Sequence, residues 1–381
     1  MGSYGDLSTG RRVVIVILIL GIIYLCNYLM LESRISVSKN LLHPSSSQSP
    51  NGRNSDDSRN VATPRTKSGV HLDTTKMKPS SNAVRLKSTG NLPRNKSIPH
   101  LDERTFAVDK RVLKAVKWPF KHYIQLTSEN VKDFVFVTAA NNPYNENALD
   151  AIATVQEHFP GRKIIFYDLD KKTEMDPAIQ KICDVEYRSF NTESLPSHVT
   201  WLRIYAWKPI IIHDVLQEYP GVLWFDSSIR FLSGNLSEAF TFVRKSGGAM
   251  LFNYCGHNTF SVTHEDMYKY LPTDLKEMQT ILQYEANMIL LYRTRLVYDE
   301  VIKWWILCAL KENCIAPVED IGCTFTAPDR YAGCHRFDQS AINILLANLY
   351  HFDYKQYAHN IAGLEVVKRF SGNKEKAKYC K

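Results

Sequence analysis

Between residues 134 and 226 short apolar runs alternate with amphipathic stretches, and this alternation restricts the possible folds more than any other feature. Phe134–Val137 is an apolar run closed by the turn-rich loop Thr138-Ala-Ala-Asn-Asn-Pro143. In Glu146–Phe159, the residues Ala148, Ile152, Val155 and Phe159 recur at three- and four-residue spacing, which predicts a helix stopped by Pro160-Gly161. Strand patterns follow at Lys163–Tyr167, Asp184–Phe190 and Val222–Phe225, with helical patterns between them at Pro177–Ile182 and Pro209–Tyr219. The order β-α-β-α-β-α-β with short connections predicts an α/β fold, a single mostly parallel sheet with helices on both faces. Ligands bind such sheets at the carboxyl ends of the strands. Polar residues stand there: Asn141 and Asn142 after the first strand, Asp168 and Asp170 after the second, and Asp226, Ser227 and Ser228 after the fourth. Neither G-x-G-x-x-G nor G-x-x-x-x-G-K-[ST] occurs, which disfavours ordinary dinucleotide binding and P-loop phosphotransfer.

The segments before this pattern are of other kinds. Val13–Leu31 is a run of 19 mostly apolar residues, long enough to cross a bilayer as a helix. A cleaved signal peptide is the rival reading, but its apolar region is shorter, and Tyr24, Tyr28, Leu29 and Met30 stand where small residues would be wanted. Arg11 and Arg12 favour a cytoplasmic amino terminus. The expected organisation is therefore a cytoplasmic tail (1–12), a transmembrane anchor (13–31), a disordered stem (32–105) and a luminal domain (106–381). The stem contains no Phe, Trp or Tyr and carries 13 Lys and Arg against 6 Asp and Glu, too polar to offset the entropy of ordering. Almost all of the formal net charge of +8 lies in this segment, and residues 106–381 are balanced. A folded nucleic-acid-binding surface, which needs a basic excess on the domain itself, is disfavoured.

Seven of the eight cysteines lie in the expected domain, four of them between residues 308 and 334. In an oxidising lumen they read as disulfides with at least one thiol left over. Zinc is the rival reading, but no C-x-x-C pair occurs. Asn95-Lys-Ser97 and Asn235-Leu-Ser237 are glycosylation sequons.

A short tail, one span, a Ser- and Pro-rich stem and an α/β domain resemble the Golgi type II membrane glycosyltransferases, and the domain resembles their GT-A-like, glycogenin-like nucleotide-sugar fold. The resemblance is carried by Ile165-Phe-Tyr-Asp-Leu-Asp170, Val222-Leu-Trp-Phe-Asp-Ser-Ser228 and Phe337-Asp-Gln-Ser-Ala-Ile-Asn343. The chain is also similar to invertebrate transferase-like membrane proteins. The resemblance implies a luminal enzyme of the Golgi membrane that moves a sugar from a nucleotide-sugar donor to a glycan or glycoprotein acceptor. It also implies an Asp-x-Asp element holding Mn²⁺ or Mg²⁺ against the donor diphosphate. Here that element reads Asp226-Ser-Ser228, so the second carboxylate is missing and the divalent cation is in question.

Asp226 is the strongest single candidate for donor or metal binding, although an Asp at a strand end also serves as a turn residue. Asn141, at the end of the first strand, is a candidate donor-binding residue, and the resemblance implies such roles for Asp168, Arg203, Lys208, Ser228, Asn287 and Gln339. It places Asp338 and Glu285 near the reacting sugar. Lys208 would sit at the amino end of the following helix, where the dipole favours anions, and Asp338 is well placed as an N-cap. An inverting reaction needs a general base, for which Glu285, Asp338 and Glu319-Asp320 are candidates. Trp304-Trp305, Tyr268 and Tyr270 read as core. The alternative to an enzyme is a tethered lectin or inactive transferase-like scaffold. A sulfotransferase is weaker for want of a phosphosulfate-binding loop.

Overall fold

The computed structural model describes residues 83–87, 104–120, 122–170, 179, 181–319, 322–370 and 376–380. The chain divides into two units, Met1–Thr75 and Lys76–Lys381, and every described residue belongs to the second. The expected anchor at 13–31, half of the expected helix at 177–182, and Asn95 lie outside the described residues. Among the described residues no helix is long and apolar enough to cross a membrane.

The strands are β1 (Ala83–Lys87), β2 (Thr105–Asp109), β3 (Val135–Ala140), β4 (Ile164–Asp168), β5 (Val185–Ser189), β6 (Gly221–Phe225), β7 (Ile229–Phe231), β8 (Ala249–Leu251), β9 (Tyr254–Asn258), β10 (Leu282–Tyr284), β11 (Met288–Tyr292) and β12 (Glu365–Val367). The longer helices are α1 (Lys110–Ala115), α2 (Asn145–His158), α3 (Trp207–Glu218), α4 (Ser237–Ser246), α5 (Lys303–Ala309) and α6 (Phe337–Leu349). A six-stranded sheet has the order β5-β4-β3-β6-β11-β8. The contacts from β5 through β6 are parallel, while β11 runs antiparallel to both β6 and β8.

Side chains alternate across each strand, and this alternation builds two cores. Val135, Val137, Ile165, Val222, Trp224 and Ile289 face one side with α3, α5 and α6. Phe136, Ile164, Phe166, Leu223, Phe225 and Leu290 face the other with α2 and α4. Helices thus cover both faces of a mostly parallel sheet, as the alternation predicts. Trp304 and Trp305 are fully buried.

One boundary differs from expectation. β1 pairs antiparallel with β2, inside the segment read as a stem. Val84 and Leu86 pack against the first core, so five residues of alternating apolar character suffice to join the domain despite their polar flanks.

Small two-stranded pieces complete the site. β9 pairs with β10, and β12 pairs with β7. Three disulfides are formed, Cys183–Cys380, Cys308–Cys314 and Cys323–Cys334, and Cys255 is the free thiol among the described residues.

Candidate functional site

β6 ends at Phe225, and Asp226 follows at once. Because β11 is antiparallel to β6, with Met288 opposite Phe225, its amino end arrives beside that carboxyl end and carries Glu285 and Asn287 with it. The backbone N–H of Asp226 donates to the Asn287 carbonyl at 2.7 Å, which fixes the two segments together. Helix α6 begins at Phe337, one residue before Asp338, and its first turn closes the other side. Trp305 Nε1 donates to the Asp338 carbonyl at 3.0 Å, and the Ala286 N–H donates to Gln339 Oε1 at 3.1 Å. Asp338 therefore lies inside the helix rather than at its N-cap, a position occupied by Arg336. Similarly, α3 starts two residues before Pro209, so Lys208 belongs to its first turn, and a proline there costs no helical hydrogen bond.

These elements enclose a cleft of about 440 Å³ lined by Lys208, Asp226, Ser228, Glu285, Asn287, Asp338 and Gln339. Volumes of this order suit small-molecule ligands. At its centre the Lys208 ammonium lies 3.0 Å from Asp226 Oδ1 and 3.4 Å from Asp338 Oδ2 and donates to the Ala286 carbonyl at 2.9 Å. Trp224 Nε1 donates to the same Asp226 oxygen at 2.7 Å. Asn287 takes Nδ2 to Glu285 and accepts from Asn253 at 3.2 Å.

The electrostatics follow from burial. Burial would lower the Lys208 amine, but Asp226 and Asp338 outweigh it and hold it above its ordinary value. Burial pushes Asp338 up to about 6, against the pull of Lys208 and with the push of Asp226. Glu285 is also raised, by burial first, with Arg369 opposing and Asp226 adding. Two residues of the cleft wall, Tyr205 and Phe337, have φ of 53° and 41°, the left-handed region that side chains other than glycine seldom adopt. Such residues persist where surrounding structure over-determines them, and they gather at functional sites.

Three expected donor-binding residues do not line this cleft. Asp168 Oδ1 accepts from the Asp170 N–H at 2.8 Å and Oδ2 from the Tyr187 hydroxyl at 2.7 Å, so both oxygens are committed near the strand end. Asn141 donates to the Asn142 carbonyl at 2.7 Å. Arg203 is exposed on a 3₁₀ turn, Leu202–Ile204. Glu319 is exposed outside the cleft, Asp320 is not among the described residues, and Asn235 is exposed just before α4.

Conversely, Arg336, Arg369, Cys255, His257 and Phe325 line the cleft without having been singled out. Cys255 and His257 stand on the short strand β9 and the others outside the strands and helices, and single residues of these kinds carry no local periodicity. For Arg336 the one available signal was its place before Asp338-Gln339. A second hollow of about 360 Å³, lined in part by Tyr167, Ser189, Asn191 and Asp214, shares no residue with the first. Its acid is already paired, accepting from Tyr167 and from Lys117, each at 2.6 Å.

A hard divalent cation needs several oxygen ligands. Among the described residues no group of three or more His, Cys, Asp or Glu is placed to hold one. Asp226 and Asp338 share an ammonium instead, and Ser228 adds no charge. Among the described residues, those lining this cleft do not by themselves supply the several oxygen ligands a divalent cation needs.

The fold and cleft together define an α/β protein with a polar cleft beyond the carboxyl end of β6, where the antiparallel β11 arrives beside it. Residues 112–213 match a family described as "Protein of unknown function (DUF1647)", a span that ends before Asp226. No curated protein matches the chain. Similar solved structures are glycosyltransferases. The apo form of GlyE from Streptococcus pneumoniae TIGR4 is 15% identical with a TM-score of 0.34, over 60% of this chain and 45% of that one. LgtC in complex with donor and acceptor sugar analogues is 14% identical with a TM-score of 0.34, over 55% of this chain and 70% of that one. Core-mannan synthase A of Aspergillus fumigatus, in a Mn/GDP form, is 9% identical with a TM-score of 0.39, over 69% and 85%. The chain spans less than half the length of GlyE.

Proposed function

We propose that the domain is a glycosyltransferase that moves a sugar from a nucleotide-sugar donor to a hydroxyl of a glycan or glycoprotein. One observation carries this reading. Lys208, Asp226, Glu285, Asn287, Asp338 and Gln339, scattered along the sequence, meet in a single open cleft at the carboxyl end of β6. In the transfer, the bond from the anomeric carbon to the diphosphate oxygen breaks and a bond to the acceptor oxygen forms. The acceptor proton passes to a base. In an inverting transfer, Asp338, pushed up to about 6 by burial, and Glu285, raised by burial, are the cleft carboxylates placed to take it. Asn287 and Gln339 line the same cleft, and their amides hold Glu285 and the Ala286 backbone in place. A luminal setting on the Golgi membrane, anchored through residues 13–31, belongs to the same proposal. Three disulfides agree with an oxidising compartment.

The test is a panel of nucleotide sugars offered to the purified full-length chain, with binding and slow donor hydrolysis both measured. Binding of at least one donor with release of free sugar is expected. Binding without turnover under any condition would favour the lectin or scaffold, and absence of any binding would remove the reading.

A further inference from the structure

Resting on that reading, we propose that Lys208 takes the place of a divalent cation, so that the cleft holds the donor diphosphate with side-chain cations alone. The Lys208 ammonium would act at the floor and the Arg336 and Arg369 guanidiniums at the rim.

The floor supports this assignment geometrically. Lys208 is 2% exposed, yet its ammonium reaches the cleft and is surrounded by Asp226 Oδ1, Asp338 Oδ2 and the Ala286 carbonyl at 3.0, 3.4 and 2.9 Å. Its hydrogen bond goes to the Ala286 carbonyl, and the two carboxylates are ion-pair neighbours, so what it offers a ligand is mainly charge. Beyond the two carboxylates, the Trp224 and Tyr205 rings, centred 5.4 and 5.3 Å from the nitrogen, flank the cluster, and electrostatic effects weaken little in such buried surroundings. A metal ion taking Asp226 Oδ1 as ligand would meet a fixed like charge 3.0 Å from that oxygen and would compete with the indole N–H already on it. The sequence fits the same account. Asp226-Ser-Ser228 carries one carboxylate fewer than an Asp-x-Asp element, and one immobile cation stands beside it.

The rim supplies further donors, the Arg369 guanidinium and the Arg336 guanidinium, whose Nη2 donates to Cys323 Sγ at 3.2 Å. Arg336 and Arg369 are exposed, line the cleft, and approach it from different elements, one just before α6 and the other just after β12. Arg369 lies near enough to Glu285 to act on it electrostatically. Guanidinium groups match phosphate oxygens two at a time, which makes the pair suited to a diphosphate.

The experiment measures UDP and GDP binding to the full-length chain by calorimetry, once in a chelator and once in excess Mn²⁺. The expected result is binding in both, with affinities agreeing within about threefold, well short of a tenfold step of about 1.4 kcal/mol. Binding that appears only with Mn²⁺, or tightens more than about tenfold with it, would overturn this inference while leaving the transferase reading intact. Binding in neither condition would overturn both. Arg336→Ala and Arg369→Ala are each expected to weaken binding roughly tenfold, the loss of one charge-assisted contact. If both bind like the parent, the rim assignment is wrong. Lys208→Met should lose affinity in chelator and gain dependence on Mn²⁺. Unchanged affinity in chelator would show that the ammonium is not the cation. If Lys208→Met does not fold, the parent chain with and without Mn²⁺ still decides.

Discussion

At Asp338 a carboxyl group is enclosed by protein, 3% exposed, with one ammonium beside it. Its ordinary value is 3.8, and burial pushes it up to about 6 in the fold. Between those values the native state keeps a proton that the unfolded state has released, so stability falls as pH rises from about 4 to 6. Glu285 is shifted the same way and adds to the slope. Asp338→Asn should flatten this decline, read as denaturant midpoints across the range, and an unchanged slope would mean that the proton sits elsewhere. Asp226 behaves differently because it is part open to solvent, its side chain 30% exposed. Asp226→Asn keeps an acceptor for Trp224 and leaves Lys208 paired with Asp338. It should cost only about 1–2 kcal/mol of stability while lowering turnover roughly a hundredfold or more. Full activity in that variant would take Asp226 out of the site.

β6 carries the site, and its first residue shows how tightly it is seated. A Cβ on Gly221 would come within 2.6 Å of the Tyr292 ring and 3.0 Å of Phe134 Cβ. That ring cannot retreat, being fully buried with its hydroxyl donating to the Val131 carbonyl. Gly221→Ala should therefore destabilise the domain by about 1–3 kcal/mol, measured by thermal unfolding, and a neutral result would mean that β11 can slide. In the sequence Pro220-Gly221 reads as a helix stop, and nothing local shows that the glycine also answers to a tyrosine far along the chain. The same contrast holds for the rest of the molecule. Strands β3 to β6 and helices α2 and α3 were legible because periodicity is a local property. Lys208, Asp226 and Asp338 were legible as candidates because they stand at element ends. The ammonium between the two acids was not, since it depends on the direction of β11 and the first turn of α6. Asp168 misled for a local reason: an Asp two residues before an N–H can turn back on its own loop.

For the whole molecule, the Cys183–Cys380 bridge joins residues 197 apart, and backbone hydrogen bonds reinforce it. Cys183 N–H donates to Lys378, and Cys380 N–H donates to Lys181, each at 2.9 Å. Gln156 of α2 accepts from the Lys378 N–H at 2.7 Å, so the carboxyl segment is pinned near the outer strand β5. Replacing both cysteines by serine should cost about 2–5 kcal/mol, seen as a lower unfolding temperature that reducing agent does not lower further at this bridge. No change would show that the hydrogen bonds alone hold the segment. The spacing also bears on biosynthesis. Five other cysteines, at 255, 308, 314, 323 and 334, are translated after Cys183 and before its partner. A growing polypeptide must therefore keep that sulfur from five wrong mates until the right one emerges.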